Sequence, residues 1–291
     1  MAKKKKITNN PQQEEKHDFF IEISHTIFTY IENHRKQFII GLSGFLLLIV
    51  VVSLLYVFKS QKDAEISNLF FDANTNFTSH IEEIRSDKIR GTLTDTEINQ
   101  IKKGFINIID KSESRPESHL SHYNLGIISF SSQNFDEAVI HFNKASQQSS
   151  FPLAFLAQYN KAQTFFNKGY LLQKDNNFDG ANKEYQDAYK YFSEIEKEFP
   201  DSPIIPLSYR GRGLVKEYMA KCYTALNQRN NAKKALEEGK EDYKKLINYS
   251  NKEKDSFNAT NELSAFAMTD PKQEGEIGLR RIEIKLQNLS K

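Results

Sequence analysis

Between Phe38 and Phe58 the chain reads FIIGLSGFLLLIVVVSLLYVF, 21 residues without a charge. A helix rises about 1.5 Å per residue, so this run covers roughly the 30 Å of bilayer hydrocarbon. A soluble helix of that length keeps a polar stripe on at least one side. Here the only interruptions are Gly41, Ser43, Gly44 and Ser53, and the run reads as a transmembrane helix. Thirty-seven residues precede it, and KSQKDAE follows without an Ala-x-Ala pattern, which favours an uncleaved signal anchor over a removable leader. Seven basic residues lie before the run, among them Lys3 to Lys6. By the positive-inside rule they place the N-terminus in the cytoplasm.

This divides the chain into a basic tail (1–37), the anchor (38–58) and a domain (59–291). The tail includes an amphipathic stretch, Asp18 to His34, with Phe20, Ile23, Ile27 and Ile31 on one face. That stretch suits the membrane surface, a docked partner, or a plain continuation of the spanning helix. The domain has 33 basic and 33 acidic residues, so it carries no long-range field for nucleic acid. The one cysteine, Cys222, excludes an internal disulfide and sits in a helical pattern, MAKCYTAL, as a buried structural thiol would.

After the anchor, Ile66, Leu69, Phe70, Ala73 and Phe77 keep a helical period, so the spanning helix is expected to continue into the domain. From residue 94 onward helical patterns alternate with polar punctuation, and Pro116, Pro152, Pro200, Pro203 and Pro206 fall between them. The expected fold is all-α. Near a period of 34, Gly126 is followed by Ala138, Phe142 and Ala145 at the offsets of a tetratricopeptide helix pair. Two helices approach closely only where small side chains meet, and a large one fills the gap beside them. The same offsets recur at Gly169, Ala181, Tyr185 and Ala188, and at Ala220, Ala232, Leu236 and Gly239. In the middle match a second register, Tyr185, Ala188, Phe192 and Ile195, competes, as does a hairpin of two long helices. Ile101, Phe105 and Ile108 look like the second helix of a degenerate leading repeat. The chain is thus expected to form an α-solenoid of tetratricopeptide-like repeats, ending in a C-terminal helix with Ile277, Ile282, Leu286 and Leu289 as its cap. Residues 248 to 275 are polar and aperiodic and are expected to be a loop with one short helix around Leu263.

Chemistry-bearing motifs are sparse. His119, His122 and His141 have spacings that zinc uses, but there is no HExxH glutamate or cysteine pair with them, which favours packing roles. No phosphate loop, nucleophile elbow or bracketed carboxylate pair is present, so neither an enzyme nor a cofactor or metal is expected. In tetratricopeptide geometry the first helix of each repeat lines the concave side. That places Tyr123, Ile127 and Phe130 there from the first repeat, Phe166, Tyr170 and Gln173 from the second, and Glu217, Lys221 and Thr224 from the third. Such a trough suits an extended or helical peptide, or the protein's own helices fill it.

A short basic tail, one early anchor spanning Phe19 to Phe58 with its flank, divergent helical repeats and the C-terminal IEIKLQNLS (Ile282 to Ser290) resemble the YfgM-type inner-membrane proteins of bacteria. The resemblance implies a single-pass protein of the bacterial inner membrane with a periplasmic repeat domain. It also implies an ancillary role at the Sec translocon beside a membrane-anchored periplasmic chaperone. Its partners would be translocon subunits, that chaperone or exported chains. The Lys3 to Lys6 tail and the longer Asn- and Lys-rich domain depart from that family. The alternative is a structural scaffold for envelope assembly or cell division.

Overall fold

The computed structural model describes residues 11–85, 95–112, 115–147, 153–252 and 270–290, with the side chains of 11–21, 38, 41, 80–85 and 95 left aside. Among the described residues there are ten α-helices and no strand: α1 (Pro11–Asn33), α2 (Arg35–Arg85), α3 (Asp95–Lys111), α4 (Pro116–Ser131), α5 (Phe135–Ser146), α6 (Ala154–Lys174), α7 (Phe178–Glu198), α8 (Ile205–Ala225), α9 (Arg229–Lys252) and α10 (Pro271–Ser290). The chain divides into two compact units, Met1–Glu65 and Ile66–Lys291.

In the first unit α1 gives way at His34 to α2. From Ile39 to Phe58 the large apolar side chains of α2 are all exposed, and Ile27, Phe28 and Tyr30 of α1 are exposed as well. Water penalises each such side chain by about 1.5–3 kcal/mol relative to burial. This helix, near the N-terminus, is long and apolar enough to span a membrane.

In the second unit the helical period after the apolar run has its expected consequence. α2 continues unbroken to Arg85, and its Ile66, Ala73 and Phe77 close on Ile101, Phe105 and Ile108 of α3 and on Leu125 and Ile128 of α4. Phe77 meets the Phe105 ring edge-on, with centroids 5.9 Å apart.

The next six helices form three hairpins, α4–α5, α6–α7 and α8–α9, whose turns are built alike. Gln133, Asn176 and Asn227 each adopt φ near +60° (58°, 63° and 59°). In each turn three successive amides donate back to the first helix, as Ser132 to Ile128, Gln133 to Phe130 and Asn134 to Ser129 do in the first. The positive-φ residue lies seven places beyond Gly126, Gly169 and Ala220 respectively, so turn and crossing keep one register.

That crossing explains the small residues. A Cβ on Gly126 would lie 2.6 Å from the ring of Phe142, and one on Gly169 would lie 2.8 Å from the ring of Tyr185. Ala138, Phe142, Ala145, Ala181, Tyr185, Ala188, Ala232 and Leu236 are all buried behind them. Gly239 stands instead against the Lys216 stem and Ile282.

Two expectations change. The period near 34 is not kept: Gly126, Gly169 and Ala220 are 43 and 51 residues apart, with α6, α7 and α8 running for 21 residues each. The two competing registers in α7 prove to be successive turns of one buried face, with Phe192 filling the space against Gly211. The expected loop 248–275 is shorter than its polarity suggests, since α9 runs on to Lys252 and α10 starts at Pro271. The short helix around Leu263 lies outside the described residues.

Ion pairs lock the hairpins side by side. Lys102 of α3 donates to Glu137 of α5 at 2.7 Å, Lys168 of α6 to Asp136 of α5 at 2.8 Å, and buried Arg212 of α8 joins Glu196 of α7 (2.7 Å) and Asp242 of α9. α10 then packs on α9 and α8, with Gly278 and Gly213 both against the ring of Tyr243.

Candidate peptide-binding cleft

The first helices of successive hairpins touch along one side of the second unit. Asn160 of α6 donates to the Tyr123 hydroxyl of α4 at 3.0 Å, and Phe166 of α6 meets Tyr218 of α8 edge-on at 5.1 Å. α10 continues the row, because its Arg281 and Lys285 reach Glu217 of α8. It stands where the first helix of a further hairpin would.

Along this row the nine positions expected to face a ligand fare differently. Tyr123 leans on Phe142, and Ile127 packs against the α2–α3 cluster. Phe130 and the 40 % exposed Tyr170 come together, with Phe135, Asn167 and Leu171, around a shallow hollow of about 300 Å³. Phe166 is half-buried among Tyr185 and Tyr218. Gln173 is closed off, since it is buried and its side-chain oxygen accepts from the Tyr185 hydroxyl at 2.9 Å.

Glu217, Lys221 and Thr224 line a cleft of about 840 Å³ between α8, the α8–α9 turn and the C-terminal end of α10. Its apolar lining is Ala220, Ala225, Leu236 and Leu289, of which Ala220 and Leu236 are buried and Ala225 is exposed. Its rim carries Lys221, Arg229 and Lys285, with the amides of Asn227 and Asn288 between them.

Glu217 anchors that arrangement from below. It is 3 % exposed and accepts from Tyr243 at 2.7 Å, Arg281 at 2.8 Å and Lys285 at 2.5 Å. Burial alone would raise its carboxyl, but these donors outweigh it and hold the group below the usual carboxylate range. Glu217 was expected to meet a ligand. The structure instead commits it to α10, which partly fills the face as the chain's own helix. The residues that sequence reasoning missed are Arg229, Lys285, Asn288 and Leu289. Only the position of α10 brings Lys285, Asn288 and Leu289 to α8, and no local pattern signals that, while Arg229 arrives from the start of α9.

Other groups offer less chemistry. The Nδ1 atoms of His122 and His141 lie 3.0 Å apart, so one ring donates to the other. Burial, with His141 beside it, pushes the His122 imidazole down to about 4. His119 turns away to the carbonyl of Lys144. Among the described residues no group of three metal-ligating side chains converges. Cys222 is fully buried, and burial raises its thiol to about 11, which suppresses the thiolate. Compared with models of known protein families the sequence matches none, and no curated protein matches it either.

Proposed function

We propose that this chain is a single-pass membrane protein whose helical-repeat domain, tetratricopeptide-like in its crossings, binds a segment of another polypeptide. The observation that carries this reading is the cleft at the end of the row: an apolar floor large enough for two or three side chains, ringed by cations and amides. An apolar hollow with polar groups at its edge recognises side chains while hydrogen-bonding a backbone. The buried thiol and the inward-facing histidines offer no activated nucleophile or base, which favours binding over catalysis.

The anchor holds the domain at a membrane surface, where the local concentration of membrane-bound partners is high. With its N-terminus cytoplasmic, the domain faces the far compartment, the periplasm of a bacterial cell, and the partners are then export components, chaperones or exported chains. A scaffold of envelope assembly or division uses the same tether and cleft with a different partner. A photocrosslinking residue placed at exposed Thr224 in cells tests both at once. An adduct with a translocon subunit, chaperone or exported chain supports the first role, and an adduct with an envelope or division protein supports the second. No adduct with any polypeptide overturns the binding reading.

A further inference from the structure

The cleft's charge is not the charge of the domain around it. Residues 59 to 291 are balanced at 33 of each sign, yet the lining holds Lys221, Arg229 and Lys285 against the single carboxylate of Glu217. That carboxylate is saturated. Its Oε1 takes bonds from Tyr243 and Arg281, and its Oε2 takes one from Lys285. Arg281 adds a further cation to the same acid. Among the described residues no carboxylate forms a salt bridge with Lys221 or Arg229, and both are exposed. The cations come from three separate elements: Lys221 from α8, Arg229 from the start of α9 and Lys285 from α10. They share this lining with the apolar side chains of Ala220, Ala225, Leu236 and Leu289. A low-dielectric wall strengthens their field at the opening.

Resting on the binding reading above, we infer that the occupant is an acidic polypeptide segment in which carboxylates alternate with apolar side chains. The apolar side chains of that segment sit on Ala220, Ala225, Leu236 and Leu289, and its carboxylates reach outward to Lys221 and Arg229. Carboxylates spaced along a chain, with apolar side chains between them, match cations carried by three separate helices around an apolar lining. Asn227 and Asn288 supply amides for the segment's backbone.

The test uses the full chain in nanodiscs of phosphatidylcholine and three fluorescein-labelled 12-residue peptides. The peptides share Leu and Ala at fixed positions and carry Glu, Ser or Lys between them, and binding is read by anisotropy. The Glu peptide is expected to bind at least about tenfold tighter than the Ser peptide, with the Lys peptide weakest. Raising the ionic strength from about 0.05 to 0.5 M should shrink that gap. The double variant Lys221→Gln/Arg229→Gln should reduce it to less than about twofold. Both side chains are exposed and the helices keep their cores, so the variant tests charge and not folding. Equal binding of the Glu and Ser peptides overturns the acidic preference while leaving polypeptide binding standing. Undiminished Glu-peptide binding by the double variant overturns the site. Failure of all three peptides overturns the binding reading itself. Loss of the peptide selectivity together with tight binding to phosphatidylglycerol nanodiscs overturns the polypeptide occupant in favour of lipid.

Discussion

At the scale of single residues, two positions show opposing effects whose magnitudes decide the outcome. An exposed Gly→Ala change inside a helix gains roughly 1 kcal/mol from propensity. At Gly126 the added Cβ would sit 2.6 Å from the ring of Phe142, which is fully buried and has nowhere to move. Overpacking costs about 1–3 kcal/mol. Gly126→Ala should therefore destabilise by about 1–2 kcal/mol in a urea titration of the full chain in mild detergent, followed by tyrosine fluorescence, and Phe142→Leu in the same chain should recover part of the loss. His122 is the other case. Its imidazole is held neutral by burial, with a folded value of about 4 against an ordinary 6.5, so the unfolded chain binds the extra proton between those values. Stability contributed by the neutral ring is present above pH 6.5 and is lost as pH falls toward 4. Asp242, pushed up by burial to about 6, acts in the opposite sense over the same range, so the comparison must be with a variant. His122→Gln should lose about 2 kcal/mol less than the parent chain between pH 7 and pH 5. Equal losses would show that the ring is not responsible.

At the scale of elements, the three hairpin turns differ only in how well their sequences suit them. All three hold a residue at φ near +60°, which Asn176 and Asn227 adopt at less cost than Gln133. Gln133→Gly should raise stability by about 0.5–1 kcal/mol, and Asn227→Gly by less, read as shifts in the urea midpoint. α10 depends on a different device. Glu217→Gln leaves Arg281 and Lys285 facing a neutral amide, and because both cations are partly exposed the cost should be moderate, about 2 kcal/mol. The effect should be local. α10 should exchange its amides faster and be cut by trypsin at Lys285 first, while α4 to α7 keep their protection. Uniform loss of protection would mean that α10 is not a separate capping element.

At the scale of the whole molecule, α2 carries an exposed apolar run and is long and apolar enough to span a membrane. Alkaline carbonate should leave the protein in the membrane pellet, and release into the supernatant would remove the anchor from the account. Periodicity alone conveyed much of this molecule: an N-terminal helix long and apolar enough to span a membrane, the all-helical class and the small residues buried where helices meet at Gly126, Gly169 and Ala220, because each depends on neighbours within one helix or one hairpin. Helix lengths were less legible. Polar surfaces such as that of α9 look aperiodic when only a narrow face is buried, so α9 and α10 extend into what reads as loop. The role of Glu217 was not legible at all. Its residue type suits a ligand-facing rim, but its partners Arg281 and Lys285 lie more than 60 positions away and meet it only because Gly213 and Gly278 let α8 and α10 close on Tyr243. The sequence by itself determined which segments are helical and which residues let adjacent helices touch, since those are short-range requirements of size and spacing. Only the tertiary structure decided that α10 packs on α8 and α9, and therefore which charges surround the cleft. That depends on the balance of packing between elements far apart along the chain.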